Sequence, residues 1–229
     1  VLRCLEAIRK FSPRTRFLQC SSSEMFGNMP PPQNELTTLK SCSPYASAKI
    51  FGYHTTINYR EAYNLFASNA IAFNMESPRR GHTFVTKKIT TAAARISLGL
   101  QDKLFLGNLE AKRDWQHAKD ACRAMIMILD HDKPDDFAIS SGESHSIQEF
   151  VELVFSKLNL DWKKYVEIDE RLFRPTEVPH LCGDSSKLRS TFDWKPNYSF
   201  HQLIDEMIKY DLKLAEQEFY LNEMEKSRP

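Results

Sequence analysis

SPYASAKIFGYHTTINYREAYNLFASNAIAFN, residues 43–74, decides the fold. Ser43 is a residue type that caps helix N-termini, and Pro44 suits the first helical position, so a helix is predicted from there to about Phe66. Ala67–Asn74 is short and mostly apolar, which predicts a strand. Upstream, RFLQC (16–20) predicts a short buried strand. Val1–Phe11 predicts a helix, with apolar residues at 1, 4, 5, 8 and 11 and with Arg9 and Lys10 in its last turn. Helical and strand patterns that alternate in this way specify an α/β layered fold with a parallel sheet.

The alternation continues downstream. Residues 75–83 read as a polar loop, and Phe84–Leu98 as a helix capped by Gly99. Lys103–Leu106, Phe137–Ser140 and Val166–Ile168 read as short strands. His117–Leu129 is a helix with an apolar stripe at 118, 121, 122, 125, 126 and 129. Ser146 opens another helix, with Glu149 three residues on as a capping box. A long helix is predicted from Phe200 past Leu214, with a fraying tail, QEFYLNEMEKSRP.

Composition removes several function classes. The chain has 229 residues and only 7 glycines, and the two closest, Gly99 and Gly107, leave no room for G-x-G-x-x-G or G-x-x-x-x-G-K-[ST]. Lys plus Arg number 31 against 30 Asp plus Glu, so charge supports neither nucleic-acid nor membrane binding. The longest apolar run, Ala124–Leu129, is far short of a membrane span. The cysteines at 4, 20, 42, 122 and 182 are scattered and odd in number. That pattern predicts a reduced, cytoplasmic protein without a metal site.

Three groups of residues are able to carry chemistry. Tyr45 and Lys49, spaced i, i+4, emerge on one helix face. An ammonium beside a phenol favours the phenolate and suits it to take a proton from a sugar hydroxyl. Alternatively, they are a half-exposed Tyr beside a surface Lys. SSSE (21–24) follows a predicted strand, where open α/β sheets bind ligands, and its serines and carboxylate either act on substrate or cap the next turn. NMESPRRG (74–81) places adjacent Arg79 and Arg80 near Gly81, either to fork onto phosphate oxygens or to form a solvated basic loop. Lys87, Lys88, Arg113 and Arg174 are further cations placed after loops, a pattern suited to a diphosphate.

These pieces, in this order, resemble the GDP-mannose 4,6-dehydratase family of extended short-chain dehydrogenases/reductases. The matching stretches are SSSEMFG (21–27), SPYASAK (43–49), NYREAYN (58–64), ESPRRGHTFVTKKIT (76–90), LGNLEAKRDWQHAKD (106–120), LDWKKYVEID (160–169), FRPTEV (173–178), GDSSK (183–187) and WKP (194–196). The resemblance implies a lyase that converts GDP-mannose to GDP-4-keto-6-deoxymannose, towards GDP-fucose, with NADP. It implies that Tyr45, held by Lys49, takes the proton of the sugar 4-hydroxyl and that Glu24 is the base at carbon 5. Ser22 stands where the family usually has Thr. Tyr45, Lys49, Met75 and Arg80 fall at cofactor positions, and Asn74, Lys88, Arg113, Arg174 and Glu177 at positions holding the GDP portion.

The chain departs from the family pattern at Met75, normally His, at Gln116, normally Gly, and in a 28–34 loop one residue short. The family's glycine-rich NADP fingerprint and first βα units have no counterpart before Val1, so a partial Rossmann-type sheet of C-terminal strands is expected. The expected division is 1–74 plus about 109–142 for the cofactor domain, and 75–108 plus about 143–229 for a smaller sugar-nucleotide domain. A homodimer or tetramer is implied for the complete protein. The alternatives are a truncated chain without catalysis, a non-enzymatic binding subunit, and another nucleotide-sugar dehydratase or epimerase.

Overall fold

A computed structural model describes residues 1–173 and 176–226. The chain opens with α1 (Leu2–Phe11), β1 (Phe17–Ser22), a 3-10 turn (Ser23–Phe26), α2 (Pro44–Tyr63), β2 (Ala67–Ala72) and β3 (Asn74–Glu76). It continues through α3 (Val85–Ser97), β4 (Leu104–Leu106), β5 (Lys112–Arg113), β6 (Trp115–His117), α4 (Ala118–Asp130) and β7 (Asp136–Ile139). The remainder is β8 (His145–Ser146), α5 (Ile147–Lys157), β9 (Val166–Ile168), α6 (Ser186–Phe192) and α7 (Phe200–Lys226).

Local signals set most element ends. Ser43 Oγ accepts the Ala46 N–H at 3.0 Å and Pro44 begins α2. The helix stops at Tyr63 rather than Phe66 because Asn64 takes a left-handed conformation, φ 51°. Both bonds of the Ser146/Glu149 capping box form at α5. The β1 strand runs two residues beyond the expected Cys20. Ser21 and Ser22 stay in the ladder opposite Ile71 and Ala72, and the buried Ser21 hydroxyl is satisfied by Asn69 Oδ1 at 3.1 Å.

The residues divide into two compact units. The first comprises Val1–Met75, Lys112–Ser144 and Thr176–Asn197. Its centre is a parallel sheet in the order β1-β2-β7, with Phe17 opposite Ala67 and Ala72 opposite Ile139. Every residue of the middle strand is buried. Successive side chains point to opposite faces, so Ile71 and Ala138 join Met25, Phe26, Tyr53 and Phe73 in one cluster. Ala70, Phe137 and Ile139 join Ala121, Ala124, Ile128, Leu188 and Trp194 in the other. This is the α/β layering expected, in a three-stranded parallel sheet.

One segment departs from the expected division. Thr176–Asn197 belongs to the first unit, because Val178 and Leu181 enter one cluster and Leu188 and Trp194 the other. Gln33 Nε2 donates to His180 O at 3.2 Å, and the Cys182 N–H donates to Gln33 Oε1 at 3.0 Å. Contacts across some 150 residues leave no local trace in the sequence.

The second unit comprises Glu76–Ala111, His145–Pro175 and Tyr198–Pro229. Here α3 packs against α5 and α7. Ile89, Ala93, Phe150, Val154, Phe155, Ile204 and Met207 are fully buried, and β4 pairs in parallel with β9. Lys87 and Asp211 form a buried ion pair, and Thr90 Oγ1 donates to the same carboxylate at 2.6 Å. The tail expected to fray stays helical to Lys226, and an Arg95–Glu218 ion pair ties it to α3. Among the described residues, no helix is long and apolar enough to cross a membrane. No group of three or more His, Cys, Asp or Glu among them could hold a metal.

Candidate active site

The carboxyl end of β1 carries the first group. Ser22 ends the strand, and its Oγ accepts the Glu24 N–H at 3.2 Å, so the capping role weighed for these serines is present in the fold. Gly27 closes the turn at φ 56°; a Cβ there would lie 2.1 Å from Lys40 O. The Glu24 carboxylate, half-buried, makes no hydrogen bond or ion pair among the described residues.

The α2 helix packs against both this turn and β1, which brings the second group to the same end of the sheet. Tyr45, in its first turn, is 55% exposed. One turn on, Lys49 Nζ lies 5.6 Å from the Tyr45 ring centroid and donates to Cys20 O at 2.7 Å. An ammonium has three donors, so this anchor leaves two for a ligand. The arrangement departs from a free surface lysine, whose stem would be mobile.

Four more of the candidates lie in the first unit. Arg113, 7% exposed, pairs with Glu177 through Nη2–Oε1 at 2.9 Å, joining two positions 64 residues apart. The Asn74 N–H donates to Asp114 O at 3.1 Å. Met75 packs on the cluster around Ala70 and Ile139. Gln116 is buried; its Nε2 donates to Ile139 O at 2.6 Å, while its Oε1 is buried without a hydrogen-bond partner among the described residues. Arg174 lies outside the described residues.

Arg80 and Lys88 belong to the second unit. Arg80 Nε is 3.1 Å from Glu76 Oε2, and its guanidinium carbon stands 3.5 Å from the Phe84 ring centroid. Lys88 Nζ donates to Phe105 O at 2.7 Å. It lines a groove of about 280 Å³ with His82, Thr91, Gln101 and Lys103. Of its two lysines, Lys103 is paired with Glu167 Oε1 at 2.7 Å.

Two buried carboxylates were not singled out from sequence. Glu76 is 1% exposed, and burial pushes its carboxyl up to about 7 against the opposing pull of Arg80 and Thr86. Asp114 is fully buried, and burial raises it too, opposed by Ser141, Gly142 and Gly183. Asp114 accepts the Ser141, Gly142 and Gly183 N–H groups at 2.9, 3.0 and 3.1 Å, which pins two loops at the end of β7. The i, i+4 spacing of Glu76 and Arg80 was the available signal for the first. For the second there was only its place in RDW.

A family model described as GDP-mannose 4,6 dehydratase matches residues 1–207. GDP-mannose 4,6 dehydratase 2 of Arabidopsis thaliana is 52% identical over 221 residues, covering 95% of this chain and 59% of the relative. The Homo sapiens GDP-mannose 4,6 dehydratase is 43% identical over 233 residues, covering 93% and 63%. The chain thus spans about three fifths of the length of these curated relatives. Among solved structures, RMD from Pseudomonas aeruginosa, complexed with NADPH, superimposes with a TM-score of 0.85 at 22% identity, covering 93% of this chain and 72% of that one. The dTDP-glucose 4,6-dehydratase of Bacillus anthracis, in complex with NAD, gives 0.83 at 24%, covering 93% and 66%. At such identities these two establish the fold alone.

Proposed function

The chain belongs to the GDP-mannose 4,6-dehydratase family, and from that premise we propose that its complete gene product converts GDP-mannose to GDP-4-keto-6-deoxymannose. The observation that carries the reading is the pair Tyr45–Lys49, anchored through Cys20 O on β1, the strand whose following turn carries Glu24. Tyr45 takes the proton of the sugar 4-hydroxyl, and the Lys49 ammonium stabilises the resulting phenolate. Glu24 removes the proton from carbon 5 and assists loss of water from carbon 6. The Ser22 hydroxyl, at the end of β1, caps the turn that carries Glu24.

The donors present suit NADP. Lys49 has two free N–H groups for a ribose, Tyr45 is open to solvent, and the Nη fork of Arg80 has no hydrogen bond among the described residues. Tyr45, Lys49, Met75 and Arg80 are the residues that would hold it, and Met75 offers no polar contact where the family has His. When bound, the nicotinamide supplies the hydride acceptor for carbon 4 and the donor for carbon 6. Asn74, Lys88, Arg113, Arg174 and Glu177 are assigned to the diphosphate and ribose of GDP. In this reading the first unit carries Tyr45, Lys49, Asn74, Met75, Arg113 and Glu177, and the second carries Arg80 and Lys88. The complete protein is read as a cytoplasmic homodimer or tetramer.

The test is turnover of GDP-mannose by the complete gene product with NADP, followed by the Tyr45→Phe variant. Tyr45→Phe should abolish turnover while calorimetry still detects GDP-mannose binding. Binding and turnover vanishing together would make Tyr45 structural and refute its assignment as the base.

A further inference from the structure

The loop 76–84 carries an arginine held from two sides. Glu76, at the end of β3, accepts from Thr86 Oγ1 through Oε2, and the same oxygen stands 3.1 Å from Arg80 Nε as an ion contact. Phe84, at the start of α3, lies under the guanidinium plane and is itself 47% exposed. The Arg80 N–H closes a turn onto Ser77 O at 2.9 Å, and Lys87 Nζ fastens the same loop through Pro78 O at 3.0 Å. The backbone and ring face are therefore occupied, and Nε is buried against the Glu76 carboxylate as an ion contact, without a hydrogen bond among the described residues. Only Nη1 and Nη2 remain, and these two parallel donors match the oxygens of a phosphate.

We propose that Glu76 and Phe84 are positioning residues that fix the Arg80 guanidinium so that its Nη fork meets a phosphate of the nicotinamide dinucleotide. The proposal rests on the reading above, in which Arg80 contacts cofactor. Neither residue touches the ligand; both act through Arg80. A carboxylate with 1% exposure is expensive to bury, and burial holds Glu76 near 7 instead of in the ordinary carboxylate range. Such a group persists where it serves a site better than it serves folding.

The experiment is a double-mutant cycle on NADPH affinity, read by nicotinamide fluorescence in the complete gene product. Glu76→Ala should weaken NADPH binding about tenfold, within the range of coupling between contacting residues. Phe84→Leu, at a half-exposed position that leaves the core intact, should weaken it about threefold, as loss of a cation–π contact predicts. Glu76→Gln keeps the side chain's length and a polar oxygen beside Nε but not the charge, and should restore only part of the affinity. In an Arg80→Ala background, the Glu76→Ala and Phe84→Leu changes should each have no further effect. If both weaken binding equally with and without Arg80, or neither changes it, the positioning role is overturned. Should Glu76→Ala fail to fold, the Phe84→Leu arm decides by itself. Unchanged NADPH affinity in Arg80→Ala alone would refute the cofactor role of Arg80, and the positioning role with it.

Discussion

Replacing Glu76 by Gln should make the protein more stable at pH 8 relative to the unchanged chain, and progressively less so as pH falls. The carboxyl titrates near 7 in the fold, against 4.5 for the free side chain, because burial disfavours its charge more than Arg80 and Thr86 favour it. A raised acid holds its proton more tightly folded than unfolded. Its contribution to stability is therefore fully present below about pH 4.5 and is lost as pH rises to about 7. The gap of about 2.5 pH units, at about 1.4 kcal/mol each, amounts to about 3 kcal/mol. Gln carries no charge to bury, so the stability difference between the two proteins should move by about that amount between pH 4.5 and 8. Urea unfolding at pH 5, 6, 7 and 8 measures it, and other titrating groups cancel in the difference. A difference that does not vary with pH would refute the reasoning. So would a trend of opposite sign, because the Arg80 ion pair would then outweigh burial.

Two more predictions concern packing. Lys87→Met should destabilise by about 3–5 kcal/mol, since it leaves Asp211 buried without its ion partner. The double variant Lys87→Met with Asp211→Leu should recover most of that loss in thermal unfolding. Gly183→Ala should cost about 3 kcal/mol in urea unfolding, because a Cβ there would stand 2.4 Å from Ser140 Cβ and 2.6 Å from the Phe73 ring. No loss on that substitution would mean that the loop following Leu181 yields freely.

Residues that signal to neighbours within a turn were legible. Ser43 and Pro44 starting α2, Gly99 after α3, and Ser146 with Glu149 at α5 all form where the pattern puts them. The Tyr45–Lys49 pair was legible as a spacing, and the motif blocks around it identified the family. β1 and α7 extend beyond the ends that their local patterns predict. Ser21 stays in its strand through Asn69, and the α7 tail is held by Arg95, and neither partner is nearby in sequence. The grouping of Thr176–Asn197 with the first unit was illegible for the same reason.

The sequence by itself determined the alternation of helices and strands, the caps that bound them, the family, and the residue types available for chemistry. Each of these depends on side chains and backbone groups within a few positions of one another, or on motifs read in order. Tertiary structure decided what those residues are able to do. It anchored Lys49 on a carbonyl 29 positions away, joined Arg113 to Glu177, and buried Glu76 beneath Arg80. Burial and long-range pairing are set by whichever element packs across a residue. A free carboxylate, a capped one and a buried one therefore look alike until the chain has folded.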